Sequence, residues 1–185
     1  ITRIEAFLNS LSHRPPVEMP QKFNILDVAM HPTNIQAKTD GRKLLVPNLG
    51  AYTPYLVEYF ERQGVNAEAM PPFTRETLEI GRAEMSSKEY LPLPMLVGAC
   101  LQAIEKNGGD EGLQFLIPYG YGADADGQYA RVVRSILDRR GYTKCGIAAP
   151  MLEELSETAD DPELLLRAVL TGDLVYALPA TQRER

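Results

Sequence analysis

From residue 43 onward, short apolar runs closed by Pro or Gly alternate with longer stretches whose apolar residues recur every three or four positions. Few architectures accommodate that alternation. "LLVPNLG" is short, apolar and stopped by Pro47 and Gly50, as a buried parallel strand would be. "YTPYLVEYFERQG" carries Tyr55, Leu56, Tyr59 and Phe60 at helical spacing and ends at Gly64, a residue suited to a left-handed cap. "VNAEAMP" reads as a second strand. "TRETLEIGRAEM" reads as a short helix with Thr74 as N-cap and Thr77 three residues later, less than a full capping box. "LPMLVGACLQAIEKNGG" is a longer helix, "LQFLIPYG" the clearest strand, "GQYARVVRSILDRRG" the clearest helix and "TKCGIAAP" a further short strand. In "ADDPELLLRAVLTGDLVYAL", Asp161 precedes Pro162 at the first helical position, a strong start signal. The pattern predicts an α/β fold: a mostly parallel sheet of three to five strands with helices on both faces, right-handed connections and a Rossmann-like layout. Ligands of such sheets sit beyond the carboxyl ends of the strands, so the loops after "LLVPN", "EAMP" and "FLIPYG" are the informative ones.

Residues 1–12 form a separate expectation. Ile1, Ile4, Phe7, Leu8 and Leu11 fall on one helical face, predicting a leading amphipathic helix. Residues 13–42 read as a linker: "SHRPPVEMP" is Pro-rich, "FNILDVAM" is an edge-strand candidate and "HPTNIQAKTDGRK" is a polar loop. Residues 43–185 are then the α/β domain. The abrupt entry into a helix suggests a fragment of something larger.

Charge and cysteine usage exclude several classes of function. With 19 Lys and Arg against 25 Asp and Glu, the net charge of -6 opposes a nucleic-acid footprint, which needs clustered cations to displace counterions. Arg131, Arg134, Arg139 and Arg140 read as the solvated face of a helix. No apolar run reaches the roughly 20 residues that span a bilayer, so no membrane partner is expected and the chain reads as cytoplasmic. Cys100 and Cys145 are the only cysteines and His13 and His31 the only histidines, and their spacing offers no zinc site.

Two corners invite a chemical reading. "IPYGYGADADGQY", residues 117 to 129, places glycines, tyrosines and two aspartates between a strand and a helix. A glycine-rich turn before a helix can hold an anion, but this one is neither G-x-G-x-x-G nor a P-loop, and Asp124 and Asp126 would repel phosphate. Those carboxylates read more readily as caps for the helix beginning near Gly127, with a divalent cation as the minor alternative. Tyr119, Gly120, Gly122, Gly127, Gln128 and Tyr129 are the ligand-binding candidates here. At the other corner, "SSKEYLP", Lys88 and Glu89 either form a structural or solvated pair or, with Tyr90 and Asp124, carry acid–base chemistry.

These corners carry a resemblance. "LEIGRAEMSSKEYLPLPMLVG" resembles the segment of large activators of 2-hydroxyacyl-CoA dehydratases that runs E-x-G-R-x-x-x-S-x-K-E-C-x-P before an apolar helix. "GADADGQY" is similar to that family's G-P-C-R-F-G-Q-Y, and "GDLVYALPATQRER" to its closing segment, over roughly residues 43 to 185. The resemblance implies a dehydratase-like α/β domain, found beside an ATPase module in anaerobic, cytoplasmic electron transfer, where cysteines of the two motifs hold an iron–sulfur cluster. Here Tyr90 stands at the first cysteine position and Asp124 at the second, with Ala125 replacing the arginine. A phenol and a carboxylate do not replace two soft thiolates, so no cluster or other cofactor is expected.

The expected function is a cluster-free interaction or structural domain that is not a catalyst by itself. Its expected partners are other domains of a larger activator-like chain or a dehydratase-like subunit. An acyl-CoA-type ligand site or acid–base enzyme domain at the Lys88, Glu89, Tyr90 and Asp124 corner is the first alternative. An iron–sulfur electron-transfer domain using Cys100, or cysteines from an oligomer interface, is the second.

Overall fold

The computed structural model describes residues 40–85, 89–119, 125–150 and 162–178. The expectations for the leading helix, for most of the 13–42 linker and for the Asp161 cap lie outside these residues. Four strands, β1 (Lys43–Val46), β2 (Ala67–Ala69), β3 (Leu113–Leu116) and β4 (Gly146–Ala148), form one sheet in the order β2-β1-β3-β4 with every pairing parallel. Leu45 pairs with both Glu68 and Phe115, and Phe115 with Ile147. Between the strands lie α1 (Thr53–Arg62), α2 (Arg75–Ala83), α3 (Pro92–Asn107) and α4 (Tyr129–Arg139), and α5 (Pro162–Ala177) follows β4. The fold is α/β and Rossmann-like, with helices on both faces of the sheet.

Strand alternation decides which helix covers which face. Leu45, Leu113, Phe115, Ile117 and Ile147 join Leu93, Val97, Cys100 and Ile104 of α3 and Val133, Ile136 and Leu137 of α4 in one buried cluster. Leu44, Val46, Leu116 and Ala148 point the other way, into a cluster with Tyr59 and Phe60 of α1, against which Leu164 and Leu165 of α5 pack. A strand covered on both faces loses the polar alternation of a half-exposed one, which is why β3 is buried at all four positions, Gln114 included.

Local chemistry sets the helix ends. Thr74 accepts a hydrogen bond from the Thr77 amide at 3.2 Å, and the Thr77 hydroxyl accepts one from the Thr74 amide at 3.2 Å. The capping box is therefore complete, correcting the expectation of a partial one: a threonine hydroxyl fills the role usually held by Glu or Gln. Helix α3 stops at Gly108, whose φ of 76° favours a residue without Cβ, and Gly64 follows α1 with a φ of 78°.

Helices α2 and α3 touch backbone to backbone. A Cβ on Gly81 would lie 1.7 Å from the Pro94 carbonyl oxygen, and one on Gly98 would lie 1.9 Å from that of Thr77. Thr77, itself buried, also donates to Gln102 Oε1 at 2.8 Å, locking the same contact.

Candidate functional site

Strand β1 feeds α1 on one face of the sheet and β3 leads to α4 on the other, so the chain changes sides between these two neighbouring strands. That switch point is where open α/β sheets take their ligands. Its β1 side is built by residues 47–53. Thr53 Oγ1 accepts from the Leu49 amide at 2.7 Å and donates to the Pro47 carbonyl at 3.3 Å, while Asn48 Oδ1 accepts from the Gly50 amide at 2.9 Å. These bonds engage two backbone donors that a phosphate-binding loop would present to its ligand.

The same loop is covered by α5. Tyr52 donates a hydrogen bond from its hydroxyl to Asp173, and its ring lies 5.4 Å from that of Tyr176 at a tilt of 35°. A Cβ on Gly172 would come within 2.3 Å of the Tyr52 ring, and one on Gly50 within 2.1 Å of the Tyr176 hydroxyl. The bond to Asp173 raises the Tyr52 phenol above its ordinary value of 10.0, aided by desolvation. Sequence reasoning missed this arrangement, because Tyr52 and Tyr176 lie at opposite ends of the domain and nothing local to "YTPYLVEYFERQG" or to the closing segment "GDLVYALPATQRER" pairs them. Two glycines placed beside aromatic residues, in "LGAYTP" and "LTGDLVYA", were the available signal.

The β3 side holds most of the sequence-predicted residues. Tyr119 and Tyr129 are half-buried and pack against the α3–α4 cluster, and the Tyr119 amide donates to the Pro150 carbonyl at 3.1 Å. Gly127 is half-buried and Gln128 exposed, in a 3-10 turn spanning Ala125–Gln128 that leads into α4. No side chain caps α4 at Gln128. Gly120, Gly122 and Asp124 lie outside the described residues, as does Lys88.

Glu89 and Tyr90 are exposed, Tyr90 by 72%, and the Tyr90 carbonyl accepts from the Leu93 amide at 3.1 Å as α3 opens. This corner follows α2, whose last turn is tied to the end of α4: Glu84 accepts from Arg140 Nε at 3.0 Å, and Arg139 donates to its carbonyl at 3.5 Å. The bond from Arg140 holds the Glu84 carboxyl below its ordinary value of 4.5, against the opposing effect of burial. Glu84 and the 125–129 turn are therefore anchored at opposite ends of α4, separated by about 16 Å of helix at 1.5 Å per residue.

Arg134 corrects the reading of the arginines as a uniformly solvated face. It is 8% exposed and donates to the carbonyls of Cys145, at 2.8 Å, and Tyr142, while Asp138 pairs with it at 2.9 Å. Both cysteines are buried and free. Desolvation drives the Cys100 thiol far above its ordinary value, with Cys145 adding to the rise and Arg134 opposing it. Burial also raises Cys145, against the pull of Arg134. Protonated thiols are poor metal ligands. Among the described residues no three His, Cys, Asp or Glu side chains converge as a metal site would require, and no helix is long and apolar enough to cross a membrane.

One groove lies away from both corners. Lys43, Glu68, Lys106 and Asn107 rim a space of about 450 Å³, open mouth included, over Leu45, Met70 and Ala103. Lys43 bonds Glu68 at 2.7 Å and Lys106 approaches it to 3.9 Å, so one carboxylate already answers two ammonium groups. The Lys43 bond holds Glu68 below its ordinary 4.5, partly offset by desolvation.

Comparison of the chain with family models, with curated proteins and with solved structures finds no match.

Proposed function

We propose that this chain is a cluster-free, non-catalytic interaction or structural domain of a protein resembling the activators of 2-hydroxyacyl-CoA dehydratases. Other domains of a larger activator-like chain, or a dehydratase-like subunit, are its partners. The observation that carries the reading is the contact of α5 with the loop after β1: Tyr52 bonds Asp173 and meets the Tyr176 ring beside the switch point. Two features of the resembling motif also have structural roles that need no chemistry. Gly81 permits the α2–α3 backbone contact, and Glu79 pairs with Arg75 one turn earlier at 2.8 Å.

A thermal-shift panel of CoA and acyl-CoA thioesters tests the non-catalytic part of this reading. A ligand that binds only the folded state raises the melting temperature by mass action, by the equivalent of about 2.7 kcal/mol at a hundredfold excess over Kd. The proposal expects no shift across the panel. A saturable rise with one thioester would favour the alternative, an acyl-CoA-type ligand site or acid–base enzyme domain using Lys88, Glu89, Tyr90 and Asp124.

A further inference from the structure

Helix α5 meets the domain through a small, interlocked contact. Among its described residues Ala168 and Gly172 are buried, Leu164 and Leu165 pack partly against the α1 side of the sheet, and Leu166, Val169, Leu170 and Leu174 are exposed. An element that buries so little apolar surface sits at the low-stability end of a fold. Its contact with the loop after β1 consists of two glycine–tyrosine pairs. Tyr52 of the loop lies on Gly172 of α5, and Tyr176, one turn further along α5, lies on Gly50 of the loop. The two rings meet at 5.4 Å, and the Tyr52 hydroxyl donates to Asp173.

Helix propensity alone does not account for Gly172. Glycine is the poorest helix former after proline, yet Gly172 lies inside a helix of 16 residues, next to Thr171, whose hydroxyl bonds back to the Arg167 carbonyl at 2.7 Å. A Cβ at Gly172 would overlap the Tyr52 ring, so the helix gives up intrinsic stability to seat that ring. On the loop, Gly50 answers two demands: its φ of 66° favours glycine, and a Cβ there would overlap the Tyr176 hydroxyl.

We infer that α5 is a strap that opens and closes on the β1 side of the domain as one unit, with the Tyr52–Gly172 and Tyr176–Gly50 clasp as its latch and the sheet folded in both states. The latch is one hydrogen bond and one ring contact between surface elements, whereas β3 is buried at all four positions. Opening uncovers Tyr52 and Gly50 beside the switch point, so a molecule that takes their side of the loop selects the open form. The strap is independent of the resemblance, because it is built from contacts within this chain.

Hydrogen exchange followed by mass spectrometry on the full chain tests the strap with two variants. Gly172→Ala raises the helix propensity of α5 and at the same time forces a methyl onto the Tyr52 ring, so the two effects pull exchange in opposite directions. With the clasp as latch, the amides of α5 exchange about tenfold faster in Gly172→Ala than in the parent chain, while those of β1 and β3 do not change. Tyr52→Phe removes the bond to Asp173 and keeps the ring, and should speed the same amides roughly two- to tenfold. Three results would overturn the inference: slower exchange of α5 in Gly172→Ala, unchanged exchange of α5 in Tyr52→Phe, or equal acceleration of the strands in either variant.

Discussion

Arg134 is the clearest case of a single side chain holding separate parts of the fold together. Its guanidinium is buried beneath the α4–β4 connection and satisfies the Cys145 and Tyr142 carbonyls. Arg134→Ala leaves those acceptors without their donor and should cost about 2–3 kcal/mol, read as a lower urea midpoint at unchanged slope. Glu84 supplies a pH-dependent counterpart. Its carboxyl is depressed in the folded chain by Arg140, so its contribution to stability is complete above the ordinary value of 4.5 and is lost as pH falls through the lower folded value. The difference in melting temperature between the parent chain and Glu84→Gln should therefore be constant from pH 5 to 7, as a rough window, and shrink as the solution is acidified further. At this scale the sequence is least informative. Arg134 and its neighbours Arg131 and Arg139 share a charge pattern, and only the turn of the helix toward β4 separates the buried one from the rest.

At the scale of elements, the α2–α3 pair makes the most exacting demand on sequence. Gly81→Ala and Gly98→Ala would each drive a methyl into a carbonyl oxygen of the facing helix, with no flexible side chain to yield. Each should destabilise the domain by about 2–3 kcal/mol through overpacking, whereas Gly127→Ala, where an added Cβ meets nothing within 4 Å, should be far milder. Thermal melts of the three variants make the comparison. The strands and helices themselves were legible: apolar runs such as "LLV" and "LQFL" are too short for a helix and are bounded by Pro47 and by Gly112 and Pro118, as strands covered on both faces are. The glycine contact was not legible, because periodicity reports which face is apolar and says nothing about how closely two helices approach.

Across the whole molecule, the parallel sheet and its carboxyl-edge loops followed from the β-α alternation, but the contact between α5 and the loop after β1 did not. Tyr52 and Tyr176 meet only because α5 returns to the β1 side, a long-range pairing that no local pattern encodes. Tyr176→Ala should uncover Gly50 and the Asn48 turn, measurable as faster exchange of the Gly50 amide, while the strands remain protected. The proposal to be tested first is that Tyr90 and Asp124 stand at two cysteine positions of the resembling family and that the chain holds no cluster there. Iron and acid-labile sulfide, quantified with an ultraviolet-visible spectrum after anaerobic purification and reconstitution, test that claim most directly. The account predicts neither iron nor a charge-transfer band; near-stoichiometric iron and sulfide would contradict it and make electron transfer the leading function.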